Sequence, residues 1–243
     1  MGTEVAVQET AQVLDLRQQL EDKLIRNSDS LMAALGQDQQ QVARWKSLLF
    51  SAVNKNPELA ACEPGSIIAS MLEAAQFGLE FGAKQHSYLV PFKGKCTFLP
   101  SYRGLIHAAK RSGETKHIYA EAVYEKDQFC YTLGMDKRIE QHTPALGWRG
   151  KLVAVYAVVK FTDGSSDFEV MSLDQVEHIK AKSASVKGPW ATDYDEMAKK
   201  TVIKRLCKRL DLSSELTTLA NYGETYETIQ QAPVMEMPKE ITQ

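Results

Sequence analysis

Residues 152–161, LVAVYAVVKF, form a long apolar run rich in β-branched side chains. A run of this kind is a strand. Asp163-Gly164 follows at once, a strong turn signal, and leads into a second strand, DFEVMS, at 167–172. Upstream, HSYLVP (86–91) and CTFLP (96–100) are shorter strands. They flank Phe92-Lys93-Gly94-Lys95, a hairpin signal with a basic tip. IYAEAVY (118–124) and FCYTL (129–133) add two more.

Helical spacing surrounds these runs. Val42, Trp45, Leu49 and Val53 mark a helix over 39–53, bounded by Pro57. Ser66 can cap a helix that runs to Phe77, with Gly78 and Gly82 ending it. Further helices are predicted at 102–112, 173–183 and 194–210. The fold class is therefore α+β: a small antiparallel β-sheet with a β-hairpin, flanked by helices. Residues 1–38 are Gln-rich, with weak periodicity at Val13, Leu16, Leu20 and Leu24, and read as a flexible or partner-dependent arm. Residues 39–212 form one domain. Residues 213–243 read as an acidic, mostly disordered tail carrying Pro233 and Pro238.

The 243 residues are 44% hydrophobic and 25% charged, which is ordinary for a globular chain and excludes collagen-like and disulfide-scaffold classes. No apolar stretch of about 18 residues exists to span a membrane. MGTEVAVQETAQ shows no secretory signal. Cys62, Cys96, Cys130 and Cys207 sit in apolar contexts without a CxxC pair and read as buried, reduced thiols. The five histidines (His86, His107, His117, His142, His178) show no pairing at ligand spacing, so no metal site is expected. Lys95 lies in GKCT, but Leu89 stands where a phosphate loop needs its first Gly. GxGxxG, HExxH and GxSxG are absent. These absences favour a binding protein over an enzyme, with no catalytic residues and no cofactor.

A net charge of −2 hides an uneven distribution. Residues 82–117 hold seven bases and one acid, and residues 178–210 hold nine bases and three acids. Acidic ends flank them, six acids against three bases over 1–30 and six against one over 211–243. Two basic blocks suit a polyanion. On the 195–210 helix, Lys200, Lys204, Lys208, Arg205 and Arg209 take one half of the surface and Val202, Ile203, Leu206, Cys207 and Leu210 the other. Lys199 falls inside the apolar arc, where it either snorkels or grips a phosphate. In the first block Lys84, Lys93, Lys95, Arg103, Lys110, Arg111 and Lys116 are interleaved with Tyr88, Phe92, Phe98 and Tyr102. Cations there can follow a nucleic-acid backbone while rings stack on bases. Phe98 reads as core, and Phe92 and Tyr102 as either core or contact. Trp190 either stacks on a base or anchors its loop.

An ordered series of short blocks carries a resemblance. It runs EAAQFGLE (73–80), YLVPF (88–92), YRGLI (102–106), RSG (111–113), DFEVM (167–171), GPW (188–190) and EMAKKT (196–201). Over roughly residues 57–212 the chain resembles the RecT family of phage single-strand annealing proteins. Ser101 replaces the family's Gly before the Tyr-Arg-Gly block, and Phe81 replaces its Pro before Gly82.

The resemblance implies a β-β-β-α core and ATP-independent annealing of complementary single strands in homologous recombination. It also implies oligomeric rings or helical filaments, and action beside a phage 5′–3′ exonuclease in the cytoplasm of a bacterial host. A host single-strand-binding protein is a further expected partner; a membrane is not. The residues expected on DNA are Lys84, Lys93, Lys95, Tyr102, Arg103, Arg111, Trp190, Lys199, Lys200, Lys204 and Arg205. From the residues alone, a metal-dependent DNA-processing enzyme and an adaptor with a basic face for an acidic protein remain as alternatives.

Overall fold

The computed structural model describes residues 15–182, 189–210 and 213–231. A helix occupies 15–26 (α1), followed by α2 (Ser28–Ala34), α3 (Gln39–Lys55), the short α4 (Pro57–Ala60) and α5 (Pro64–Gln76). Strands β1 (Ser87–Phe92) and β2 (Lys95–Pro100) precede α6 (Tyr102–Arg111). Then come β3 (Thr115–Tyr124), β4 (Gln128–Thr132), β5 (Arg138–Thr143), β6 (Leu152–Phe161) and β7 (Ser166–Ser172). The chain closes with α7 (Leu173–Ala181), α8 (Pro189–Thr192), α9 (Tyr194–Arg209) and α10 (Ser214–Gln231).

The fold is α+β, with three small antiparallel sheets rather than one: β1–β2, β4–β5 and the three-stranded β3–β6–β7. The apolar run at 152–161 is the central strand β6, paired on both edges and covered on both faces. Val155, Ala157 and Val159 enter the main core, which α9 closes. Tyr156 and Val158 face the other way, into a second cluster with Val123 and Phe168 that Phe129 and Ile139 of the β4–β5 hairpin cover. Burial on both faces is why β6 shows no polar alternation. Strand β5, RIEQHT, offers that cluster one aliphatic side chain, Ile139, and the His142 ring against Tyr156, so the sequence carries no strand signal there.

Local chemistry explains the other elements. Asp38 caps α3 by accepting from Gln40 N at 2.8 Å and Gln41 N at 3.2 Å. Val42, Trp45, Leu49 and Val53 are buried as their spacing predicts. Lys93 and Gly94 both have positive φ, 47° and 76°, the two-residue turn whose twist suits a hairpin. Helix α5 starts at Pro64, two residues before the expected Ser66 cap, because Pro fits the first helical position. Ser66 instead clamps α5 to β2. Its hydroxyl donates to Glu63 O at 2.7 Å and accepts from Cys96 N at 2.8 Å.

The structure describes part of each expected chain end. Within the arm expected over 1–38, residues 1–14 lie outside the described residues. Residues 15–26 and 28–34 are helical, and Leu20, Leu24 and Leu31 are buried in the main core. Within the tail expected over 213–243, α10 packs Leu216, Leu219 and Ala220 into the same core. Tyr222 meets Phe98 edge-on at 5.2 Å and Phe77 at 6.3 Å. Each buried leucine contributes about 1.5–3 kcal/mol, enough to hold a helix whose net charge is negative. Residues 232–243 lie outside the described residues. Cys62, Cys96 and Cys207 are buried as expected, but Cys130 is exposed on β4.

Candidate nucleic-acid interface

The Tyr102-Arg103-Gly104 block begins α6 in a confined place. Ser101 caps the helix, accepting from Gly104 N at 3.1 Å and donating to Gln85 O at 2.6 Å. Its own amide donates to His86 O at 3.0 Å. With φ at −86°, this position needs no glycine, and Ser supplies a cap that Gly could not. Gly104 is required for a different reason. A Cβ there would collide with the backbone oxygen of His86. The first turn of α6 is thus pressed onto residues 85–86, which fixes the direction of the side chains it carries outward.

Arg103 is exposed. Its Nη1 donates to Gln85 Oε1 at 2.9 Å, and its guanidinium lies 6.0 Å from the Tyr102 ring centre. Four and eight residues further along α6 stand His107 and Arg111. The His107 ring stacks on His86 at 4.3 Å, 20° from parallel. Arg111 donates to Phe77 O at 2.7 Å and reaches Glu215 of α10 at 3.5 Å. Its guanidinium fills the space over Gly78 that a Cβ would occupy. Lys84 pairs with Glu80 at 3.3 Å, and Glu80 also accepts from Arg44 at 2.9 Å. Phe81, the residue standing for the family's Pro, is buried edge-on against Trp45 at 5.4 Å. Lys84, Arg103 and Arg111, with His86 and His107, therefore form one cationic strip. Burial lowers the proton affinity of both histidines, and the neighbouring cations lower it further.

The start of α9 adjoins this strip, since Glu196 contributes to the field at Arg103. Lys199 Nζ pairs with Glu196 Oε1 at 3.0 Å, so the lysine in the apolar arc snorkels to a carboxylate one turn back. The far end of α9 is used otherwise. Arg205 pairs with Glu169 at 2.8 Å, while Arg209 meets both Glu169 and Asp167, the latter at 2.8 Å. Lys137 from the β4–β5 turn also meets Asp167. Arg205 is thereby tied to β7 and away from the strip. Lys200 and Lys204 are half-buried on α9.

Lys93 and Lys95 are exposed at the tip of the β1–β2 hairpin, with Lys93 Nζ 5.2 Å from the Phe92 ring centre. Six residues of strand separate this tip from the strip, about 17–20 Å. Trp190 is 4% exposed and meets Tyr194 at 5.6 Å, so it anchors and offers no face to a base. Phe98 is fully buried, as expected.

Three side chains escaped the sequence reading. His86 and His107 are 21 residues apart, and only the Arg103/His107/Arg111 spacing on one helix hinted at a shared face. Trp148, 73% exposed with Lys126 Nζ 4.2 Å from its ring centre, lies in the loop before β6. That loop is held by the fully buried Asp127 carboxylate, which accepts from Arg149, His142 and the backbone amides of Tyr124 and Ala145. Arg149 foremost keeps Asp127 ionised well below the usual carboxylate range. Among the described residues, no group of three or more His, Cys, Asp or Glu could hold a metal, and no helix is long and apolar enough to cross a membrane.

A capped helix start that carries the exposed Arg103, beside the half-buried Tyr102 and the exposed Tyr88, has the chemistry to meet a polyanionic strand. The comparisons with known proteins then identify the kind of protein. The pattern of the RecT family matches residues 43–236. The chain is 36% identical over 182 residues to Protein RecT of Escherichia coli (strain K12), covering 71% of this chain and 67% of that one. It is 24% identical over 181 residues to the uncharacterized protein YqaK of Bacillus subtilis (strain 168), covering 72% and 61%. The chain belongs to the RecT family, and so to the DNA-binding, strand-annealing proteins of recombination.

Proposed function

We propose that this chain binds single-stranded DNA along the strip formed by Lys84, Arg103, Arg111 and the start of α9, and there pairs it with a complementary strand. The observation that carries this reading is the α6 start: Gly104 packed on His86 O, Ser101 as cap, Arg103 exposed, and Tyr102 half-buried beside it. Arg103 and Lys84 meet phosphates, Tyr102 and Tyr88 offer ring faces to bases, and Lys199 and Lys200 extend the cationic path. Lys204 lies further along the same helix. Lys93 and Lys95 reach a more distant part of the strand from the hairpin tip. Arg111 braces the strip through Phe77 O and contributes charge. The DNA-binding body is 39–212, buttressed by the helices over 15–34 and 214–222.

The reaction needs no nucleotide and makes or breaks no covalent bond: the protein lowers the repulsion between two phosphate backbones and holds bases open to pairing. It acts as an oligomer, a ring or helical filament, with a phage 5′–3′ exonuclease and a host single-strand-binding protein as partners in the bacterial cytoplasm. Exposed Leu133, Met135, Leu146 and Trp148 on and beside the β4–β5 hairpin support self-association.

The test adds two complementary oligonucleotides in sequence to the protein in ATP-free buffer containing EDTA, and follows annealing and particle size together. Annealing on large particles is expected. A strict ATP requirement overturns nucleotide independence. Metal-dependent strand cleavage replaces the reading with an enzyme, and binding to an acidic protein but not to oligonucleotides replaces it with an adaptor.

A further inference from the structure

The His86–His107 stack lies in the middle of the cationic strip, yet no hydrogen bond explains it. His86 Nδ1 is buried and without a hydrogen-bond partner. An unpartnered ring nitrogen tolerates a lone pair better than an N–H, so His86 stays neutral with its proton on Nε2. His107 has a different position. It is half-buried on α6, one turn from Arg103 and one from Arg111, on the face that the strip presents.

Charged groups face the pair from every element packed on it. The loop before β1 brings Lys84, with Glu80 preceding it; α6 brings Arg103, Lys110 and Arg111; α10 brings Glu215. Glu196 and Lys199 of α9 stand at the Arg103 end. Each nearby carboxylate already faces a cation: Glu80 meets Arg44 and Lys84, Glu196 meets Lys199, and Glu215, whose buried Oε1 has no hydrogen-bond partner, lies 3.5 Å from Arg111. The empty strip is therefore an unfavourable place for one more positive charge. A phosphodiester laid along it reverses that balance.

The geometry points to His107 as a DNA-contacting residue that takes up a proton when a phosphodiester of the bound strand arrives, with the neutral His86 ring as its stacking support. This rests on the strip being the DNA site. DNA binding is then proton-linked. In the DNA-free chain burial and cations hold His107 deprotonated near neutral pH; in the complex the phosphate favours its charged form. Affinity rises as pH falls through the range where the free and bound proton affinities differ, with a slope of up to about one decade per pH unit for one proton.

The experiment measures binding of the full chain to a fluorescent oligo-dT at constant ionic strength from pH 5.5 to 8.0. It compares the parent with His107→Gln and with His178→Gln, an exposed histidine on α7. Parent and His178→Gln should tighten toward low pH to the same extent, and His107→Gln should lose most of that dependence. Calorimetry of the parent at pH 6.5, in two buffers of different ionisation enthalpy, should show proton uptake on binding and needs no variant. Parent binding that is pH-independent, or an unchanged slope in His107→Gln, overturns the inference and leaves the DNA site standing. No binding of oligo-dT by the parent at any pH overturns both. Inorganic phosphate as the only effective anion would assign the stack to a free-anion site instead and overturn the inference.

Discussion

Residues 82–117 and 178–210 each carry a charge surplus of +6, yet they become unlike surfaces. The first block sits on a hairpin, a tight loop and one short helix, and its cations point to the strip and the hairpin tip. Lys93, Lys95 and Lys110 make no ion pair among the described residues. The six bases of the second block from Lys199 to Arg209 sit on a long helix laid across the β3–β6–β7 sheet, and β7 meets it with Asp167 and Glu169. Arg205 and Arg209 are consumed in fixing α9 to that strand. Equal charge in sequence therefore leaves exposed lysines at a hairpin tip in one case and, at Arg205 and Arg209, fastens a helix to a strand in the other. Nearby acids far away in sequence decide which.

The largest effect should follow Gly104→Ala. The added methyl meets backbone rather than a flexible side chain, so the start of α6 must move. A loss of about 3 kcal/mol in stability is expected, read from denaturant midpoints, with oligonucleotide binding lost. Undiminished binding would show that the first block does not depend on this packing.

Leu216→Ala should come next, at about 2–5 kcal/mol of stability. Leu216 is buried where α10 backs the first block. A deletion ending the chain at residue 213 should behave like it. A deletion beginning after Tyr226 should leave annealing of the purified protein intact while lowering recombination in cells. Loss of annealing in the shorter deletion would move the body's boundary outward.

Arg103→Ala and Arg205→Ala test the comparison directly. Arg103→Ala should weaken single-strand binding about tenfold for any sequence and reduce the salt slope by about one unit. Arg205→Ala should change affinity less than twofold but lower stability by about 1 kcal/mol, since Glu169 retains Arg209. Lys199→Ala and Lys200→Ala should fall between, each weakening binding more than Lys208→Ala. Equal losses at Arg103 and Arg205 would merge the two blocks into one surface.

The smallest effect is a pH dependence where the second block meets β7. Burial alone would raise the Asp167 pKa, but hydrogen bonds from Lys137 and Arg209 outweigh it and hold the carboxyl below its ordinary value. Its folded value is thus below its unfolded one. The stabilisation is complete at neutral pH and fades as pH falls through about 4 and lower. Arg209→Ala should flatten that acid limb in thermal melts at pH 3–5 while leaving binding at pH 7 nearly unchanged.

Much of the fold was legible because periodicity and turn chemistry act locally. Val42, Trp45, Leu49 and Val53 already shared a helix face, Lys93-Gly94 already prescribed a two-residue turn, and 152–161 was too apolar and β-branched for anything but a covered strand. Strand β5 was not legible, since one isoleucine among polar residues carries no period. Helices α1 and α10 were not legible either, because their composition is polar and their few well-spaced leucines gain from helix formation only when a core receives them.

The candidate site divides the same way. The sequence by itself determined where the cations are, which helix carries Arg103, and the family to which the ordered blocks point. Tertiary structure alone decided that Trp190 is an anchor, that Arg205 is bound to Glu169, and that His86 and His107 share one stack. Those outcomes depend on which distant residue supplies a carboxylate, a ring or a backbone oxygen within a few ångströms. Charge and periodicity travel along the chain, but neutralisation, burial and collision are pair properties of atoms that only folding brings together.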